Sequence, residues 1–461
     1  MKTHKNAEGI EQDFTQGNVA KQLLTFASPL FLAGLLQIVY SMTDMMVVGK
    51  FIGSEALAAV SVGGEVLNLL TFVAMGLSNA GQILIAQHIG AGKRDQVGKI
   101  IGTLFTLLIV CAGGMTALCL GLKGEILIWL HVQEEAMPDA VNYLMPCIGG
   151  LIFIYGYNLV SAILRGFGDA RHPFLFVLIA SGINIILDLV FIIGLKMGTA
   201  GAALATVIGQ AFSFLAGLVF LYRNRQRMNW GEGRLRADKG IMKSLLKLGI
   251  PMALQSAAVT FSKLYITSWV NTYGIIATAV TGIGNKLITV TNVFSQALAT
   301  AGGTMIAQNI GAAKYRRVSN VIGVSMIMNA VAAALLTFIT AVFPQELFGL
   351  FTKEPEVLAM AVDYVPVAIV MYASCIVRPP MNALINGSGN SSLNLMIALL
   401  DGVIVRIGLA LILGVYLGMG IRGFWYGNAF AGFVPFLIGG VYYLTGKWKT
   451  DRYFRKKQEE K

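Results

Sequence analysis

Apolar residues run through this chain in unbroken stretches of twenty or more, separated by short polar turns. Coiled as a helix, such a stretch reaches across the roughly 30 Å hydrocarbon core of a bilayer. The stretches are continuous rather than alternating, which argues against a transmembrane β-barrel. Twelve of them fall at 23–48, 56–87, 95–121, 138–164, 172–194, 199–222, 243–271, 276–308, 317–342, 357–384, 393–415 and 420–445. The pattern predicts an all-α polytopic membrane protein with twelve transmembrane helices. Composition agrees with it. Hydrophobic residues are 56% of the 461 and charged residues 13%, with mean hydropathy +0.70. A soluble chain carries about twice that share of charge.

The polar turns differ in charge, and the difference sets a topology. Lys2, Lys5 and Lys21 precede the first span, Lys93, Arg94 and Lys99 follow the second, and Arg165 and Arg171 follow the fourth. Arg223, Arg225, Arg227, Arg234, Arg236 and Lys239 fill the central loop, and Lys314, Arg316 and Arg317 follow the eighth span. Seven Lys or Arg close the chain from Lys447. The opposite turns hold Lys50, Lys123, Lys196 and Lys353 beside Glu125, Glu134, Glu135, Glu346, Glu354 and Glu356. By the positive-inside rule both termini face the cytoplasm, at the plasma (inner) membrane of a prokaryote. The formal charge of +12 is then a topology signal with anionic-lipid contact, and nucleic acid is not an expected partner. Residues 1–22 are polar, so no secretory signal is expected there. Trp129 and Trp269 at outer span ends and Trp448 at an inner one read as interfacial anchors. Cys111, Cys119, Cys147 and Cys375 lie in apolar stretches without metal-ligand spacing and read as small core residues.

The chain repeats itself. AQHIGAGKRDQVGKIIG at 86–102 returns as AQNIGAAKYRRVSNVIG at 307–323, ILRGFGDA at 163–170 as LINGSGNS at 384–391, and MGTAG at 197–201 as MGIRG at 419–423. Pro29, early in the first span, has its counterpart in Pro251, early in the seventh. The offset is 221 or 222 throughout, about half the chain. Each half holds six spans, an even number, so both insert with the same orientation and are related by an axis along the membrane normal. The organisation read from this is a cytoplasmic N-terminal segment 1–22, a first six-helix lobe 23–222, a cytoplasmic loop 223–242, a second six-helix lobe 243–445 and a basic tail 446–461. Two equivalent lobes with a seam between them suit an alternating-access carrier.

Candidate chemistry lies where polar residues interrupt the apolar runs. FLAGLLQIVYSMTDMMVVG, beginning at Phe31, contains one carboxylate, Asp44. A charge at that depth costs several kcal/mol unless paired, hydrated or protonated, so Asp44 is a functional-site candidate by default. The fifth span carries Asn184 and Asp188 in SGINIILDLVFIIG, one helical turn apart and on one face. The sixth carries Thr206 within AALATVIGQ. Together these supply two carboxylates, an amide oxygen and a hydroxyl, all hard donors suited to Na⁺ or to a bound proton. Two carboxylates close together at low dielectric do not both stay charged alone; a proton is taken up or a cation sits between them. Pro29, about four turns before Asp44, removes a backbone hydrogen bond and is a candidate hinge.

The second half differs. Lys263 stands in the seventh span, Lys286 in the eighth, Arg378 beside Pro379 and Pro380 in the tenth, and Asp401 and Arg406 in the eleventh. Asp401 can neutralise one of these cations, and at least two remain to be hydrated, to snorkel or to face a cavity. A basic second lobe can also hold anionic groups of a substrate. Enzyme readings fail: no G-x-x-x-x-G-K-[ST] occurs, GLSNAG at 76–81 is one residue too long for a nucleophile elbow, and GFGDAR at 166–171 follows a helix rather than a strand. No cofactor is expected beyond the coupling ion.

With repeat, span count and residues together, the chain resembles the multidrug and toxic compound extrusion (MATE) family over essentially 20–445. The marks are DMMVVG at 44–49, the paired AQHIG and AQNIG segments, LRGFGD at 164–169 and NIILD at 184–188. The resemblance implies twelve helices in two pseudo-symmetric lobes around a central cleft, and export of drugs and other organic compounds in exchange for Na⁺ or H⁺. Similarity to the DNA-damage-inducible F-like branch implies a first-lobe cation site at Asp44, Asn184, Asp188 and Thr206 (metal ligands if Na⁺ is the coupling ion), with Pro29 as that branch's helix-one proline. It also implies cleft-lining roles for Gln37, Tyr40 and Asn158. The norfloxacin-exporter-like branch has acidic residues on helices seven and ten, where this chain offers Lys263 and Arg378, which makes the first lobe the better place for coupling. The expected function is a secondary antiporter whose partners are small organic substrates and membrane lipids, and a monomer suffices for it. The alternative is a lipid-linked precursor or polysaccharide flippase of the same superfamily. The basic second lobe favours the alternative, since pyrophosphate needs cations; the span count disfavours it.

Overall fold

The computed structural model describes residues 11–122, 125, 127–128, 132–228 and 237–449. Lys2, Lys5, Lys123, Trp129, Arg234, Arg236 and the tail beyond Lys449 lie outside the described residues. The described chain is helical. In the first half come α1 (Val19–Phe51), α2 (Ser54–Gly90), α3 (Arg94–Gly121), α4 (Met137–Gly149), α5 (Leu151–Gly166), α6 (Arg171–Asp188) and α7 (Gly198–Asn224). The second half holds α8 (Lys239–Asn271), α9 (Ile275–Gly311), α10 (Tyr315–Val342), the short α11 (Pro344–Gly349), α12 (Pro355–Gly387), α13 (Ser391–Leu399), α14 (Val405–Leu411), α15 (Ile421–Ala431) and α16 (Val434–Leu444).

Among the described residues ten helices are long and apolar enough to cross a bilayer, and α4 with α5 makes an eleventh, bent by 49°. The twelfth expected span is α9. At 37 residues it equals its counterpart α2 in length, but Asn285, Lys286, Asn292 and its many threonines make it less apolar. Repeat partners match closely elsewhere: α1 and α8 have 33 residues each, α3 and α10 have 28 each. The chain is an integral, all-helical membrane protein.

The chain divides into two compact units. One comprises residues up to Asp13 with Ser28–Ala253, the other Phe14–Ala27 with Leu254 onward. The divisions fall inside α1 and α8, at Ser28 beside Pro29 and at Leu254 just after Pro251. Proline leaves a carbonyl one turn back without its donor and permits a bend there.

Each unit is cored in the same way. In the first, a Cβ on Gly63 of α2 would stand 2.5 Å from the ring of Tyr143 on α4. In the second, a Cβ on Gly284 of α9 would stand 2.3 Å from the ring of Tyr364 on α12. Both glycines exist because a buried tyrosine presses on helix backbone, and both pairs are 221 residues apart. The motif ILRGFGDA works as a helix start: Asp169 accepts from the backbone N–H of Arg171 and His172, at 3.0 and 3.2 Å. Its counterpart Asn390 accepts from Leu393 N–H at 3.3 Å. Asn390 is the N-cap of α13, and Asp169, one residue before the N-cap Ala170 of α6, likewise covers helix donors that would otherwise be bare.

Within the second unit the segment before α1 is tied down. Arg317 donates to the carbonyls of Phe14, Gln16 and Gly17, each at 2.7 Å, and to Gln22 Oε1 at 2.6 Å. Lys314 holds the Thr15 carbonyl at 2.9 Å, while Phe14 is fully buried against Phe26. Within the first unit Arg94 grips Glu11 and Gln12 N–H donates to the Phe167 carbonyl at 3.1 Å. Both arginines belong to the repeated AQHIG and AQNIG segments, so those motifs anchor the first of the described residues.

Among the described residues the tryptophans pack against other rings. Trp448 is buried, stacked on Tyr443 at 5.7 Å and edge-on to Tyr315. Trp269 stacks on buried Phe424 at 5.5 Å. An indole at a span end has two ways to bury its ring, and here protein partners supply the apolar surface in place of lipid.

Candidate functional site

Three helices of the first unit bring four oxygen-bearing side chains together. Asp44 comes from the C-terminal third of α1, Asn184 and Asp188 from successive turns of α6, and Thr206 from α7. Asp44, Asn184 and Asp188 are 7%, 4% and 0% exposed. Asn184 Nδ2 donates to Thr206 Oγ1 at 3.5 Å, which fixes which way the amide oxygen points. Asp188 lies within reach of the charge on Asp44. Gly209, one turn beyond Thr206, lets α7 approach α6 closely: a Cβ there would meet the Ala180 carbonyl at 3.2 Å and Asn184 Cβ at 3.5 Å.

Asp44 Oδ1, Asn184 Oδ1 and both carboxylate oxygens of Asp188 are buried without a hydrogen-bond donor. Buried polar oxygens normally find one, and an orphaned one costs about 1–3 kcal/mol, more when charged. Four such atoms on three neighbouring residues form a concentrated demand for positive charge. The set is all hard oxygen, which fits a proton or an alkali cation and not a soft metal. Immediately after Asp188 the helix widens into a π-turn, Leu189–Gly194. Such turns are frequent at functional sites, because they shift backbone carbonyls out of the regular ladder.

Other sequence candidates fall as follows. Pro29 lies inside the continuous α1. Tyr40, half-buried one turn before Asp44, feels that carboxylate's charge, and Gln37 is exposed one turn earlier on the same helix. Asn158 on α5 is half-buried, and its amide donates to the Ile154 carbonyl at 2.9 Å, so half its hydrogen-bonding capacity stays within its own helix. Lys263 is exposed on α8, and Arg378 on α12 is a quarter exposed and bonded to Asp401 at 3.0 Å; neither shares a unit with the oxygen cluster.

Sequence reasoning missed Tyr143. Its ring fills the Gly63 notch, and it lies in charge range of both Asp44 and Asp188. An aromatic in an apolar run looks like any core residue. The usable signal was its repeat partner Tyr364 together with the two facing glycines.

A polytopic helical protein built of two repeated units has the build of a membrane carrier. The sequence profile of the MatE family matches residues 29–190 and 251–426, each match opening at or beside one of the two repeat prolines. The chain belongs to the MatE family of multidrug and toxic compound extrusion transporters, and is a transporter rather than an enzyme. It is 30% identical to the probable multidrug resistance protein YpnP of Bacillus subtilis, over 96% of this chain and 99% of the relative. It is 23% identical to the multidrug export protein MepA of Staphylococcus haemolyticus, over 76% of this chain and 77% of that one. A crystal structure described as MATE in the bent conformation superposes with TM-score 0.87 at 21% identity, covering 97% of this chain and all of the other.

Proposed function

We propose that the protein is a secondary antiporter that exports drugs or related organic compounds by alternating access, in exchange for H⁺ or Na⁺ bound in the first unit. The observation that carries this reading is the set of four donorless oxygens on Asp44, Asn184 and Asp188. A cation entering the set relieves an electrostatic cost that an empty set bears. If substrate and cation favour different states of the same unit, their movements are coupled by linkage and antiport follows. Each net charge moved inward across the membrane gains about 2.3 kcal/mol per 100 mV, which adds to the ion's concentration gradient whenever the charges exchanged do not cancel. Organic compounds as cargo are supported by the relatives named for multidrug resistance and multidrug export. In this reading the basic turns face the cytoplasm, both termini lie there, and one chain suffices.

The test is efflux from proteoliposomes with sodium and pH gradients imposed separately. Transport driven by one gradient and abolished by Asp44→Asn supports the reading and names the ion. Equal rates with neither gradient present would refute it.

A further inference from the structure

The second unit holds a charge cluster that the coupling site does not use. Asp401, fully buried on a π-turn (Leu400–Ile404), is shared by two guanidinium groups. Arg406 Nη2 lies 2.5 Å from its Oδ1 and Arg378 Nη2 lies 3.0 Å from its Oδ2. That π-turn has no equivalent in the first unit, whose π-turn at Leu189–Gly194 matches Ile412–Tyr416 instead. Lys263 on α8 is the third cation. Its neighbour Ser262 donates to the Gly402 carbonyl, one residue after Asp401, and a Cβ on Gly402 would stand 2.6 Å from Ala258 Cβ, so this stretch of α8 packs directly on the Asp401 turn.

The two arginines differ in how far they are committed. Arg406 is 2% exposed; its Nε holds the Asp401 carbonyl at 3.2 Å, and its Nη1 holds the Asn428 carbonyl at 3.1 Å and the Asn428 side chain. Arg378 makes one such bond, to Asp401, and its side chain is 25% exposed. Among the described residues the Lys263 ammonium has no carboxylate within salt-bridge distance, and Lys263 is exposed. Three cations therefore face one carboxylate whose two oxygens are already taken. Lateral snorkelling does not resolve the surplus. Lys263 sits eight residues before the end of α8, about 12 Å along the axis, beyond the reach of a four-carbon stem. Surplus charge at that depth is relieved by water or by a counter-charge, and the exposed edges of Lys263 and Arg378 are open to a counter-charge.

We propose that Lys263 and the free edge of Arg378 bind an oxoanion (carboxylate, sulfonate or phosphate) carried on an amphiphile, either a transported compound or an anionic lipid. The guanidinium offers a flat fork and the ammonium a point charge, a pairing suited to such groups. Arg406 and Asp401 fix the fork from behind. The substrate assignment rests on the export reading above; the binding does not.

The test uses the whole protein in nanodiscs and two aromatic dyes, the anionic anilinonaphthalene sulfonate and the cationic ethidium. Lys263→Gln removes a side chain that makes no hydrogen bond, and Arg378→Gln leaves Asp401 paired with Arg406, so both variants should fold. Each is expected to weaken sulfonate-dye binding about tenfold relative to ethidium, with Lys263→Arg restoring it. In zwitterionic discs, competition by added phosphatidylglycerol that disappears in Lys263→Gln assigns the anion to lipid. No competition assigns it to soluble amphiphiles. Wild-type binding in Lys263→Gln, or equal weakening of both dyes, overturns the proposal. Gradient-driven efflux of both dyes is measured in parallel: sulfonate binding without driven efflux of either dye leaves the oxoanion site standing and removes the export reading.

Discussion

At the scale of single residues, Asp188 is the most exposed to physical argument because it is the least exposed to water. Both its oxygens are buried without a donor. An uncompensated buried charge costs several kcal/mol, whereas a neutral amide of the same shape costs less. Asp188→Asn should therefore raise the melting temperature of the purified protein while abolishing driven efflux. A destabilised variant would mean that the carboxylate is held by partners. A second residue-level case comes from the repeat. Gly92 closes its turn at φ +70°, and the equivalent Ala313 adopts φ +56°. Left-handed backbone costs a residue with a Cβ roughly 1–2 kcal/mol, partly offset by the entropy that glycine loses on folding. Ala313→Gly should stabilise the second unit by about 0.5–1 kcal/mol, read from denaturant unfolding. The four oxygen residues were legible in the sequence because polar groups are rare in apolar runs. Tyr143, Trp448 and Trp269 were not, because an aromatic in such a run does not reveal whether lipid or another ring covers it.

At the scale of elements, hydropathy located the helices but not their irregularities. The π-turns after Asp188 and around Asp401 leave no mark in composition. The 49° bend between α4 and α5 has visible causes, Pro146 and the pair Gly149–Gly150, yet α12 runs unbroken through Pro366, Pro379 and Pro380. Proline permits a break, and packing decides whether one occurs. The same reasoning applies to Pro29. If α1 must flex there during transport, Pro29→Ala restores a backbone hydrogen bond and stiffens the helix. Initial efflux rates should then fall about tenfold with cation binding intact, equivalent to about 1.4 kcal/mol on the slow step. An unchanged rate would show that α1 works as a rigid rod. Arg317 governs another element. Its three backbone carbonyls and Gln22 hold residues 14–22 in place. Arg317→Ala should speed amide hydrogen exchange over that segment by at least tenfold, leaving α10 protected. Unchanged exchange would mean that Phe14 burial alone suffices.

At the scale of the whole molecule, the duplication organises what the sequence reveals. Equal helix lengths, glycine–tyrosine notches and caps recur at one offset, so a feature present in only one half stands out as specialised. Among the described residues the buried carboxylates without a donor, Asp44 and Asp188, lie in the first unit, and the cations in excess of Asp401 lie in the second. In the proposed reading that asymmetry would place ion coupling and anion recognition in different units. Unit boundaries at Pro29 and just after Pro251 were harder to anticipate, since hydropathy sees α1 and α8 as single spans.

The central claim is that Asp44 and Asp188 act as one cation trap, and a double-mutant cycle on driven efflux tests it most directly. If they form a single site, Asp44→Asn, Asp188→Asn and the double variant should all lose activity to the same floor, as residues acting as a unit do. Losses that multiply, with each single variant retaining its own gradient dependence, would show two independent carboxylates and contradict the account.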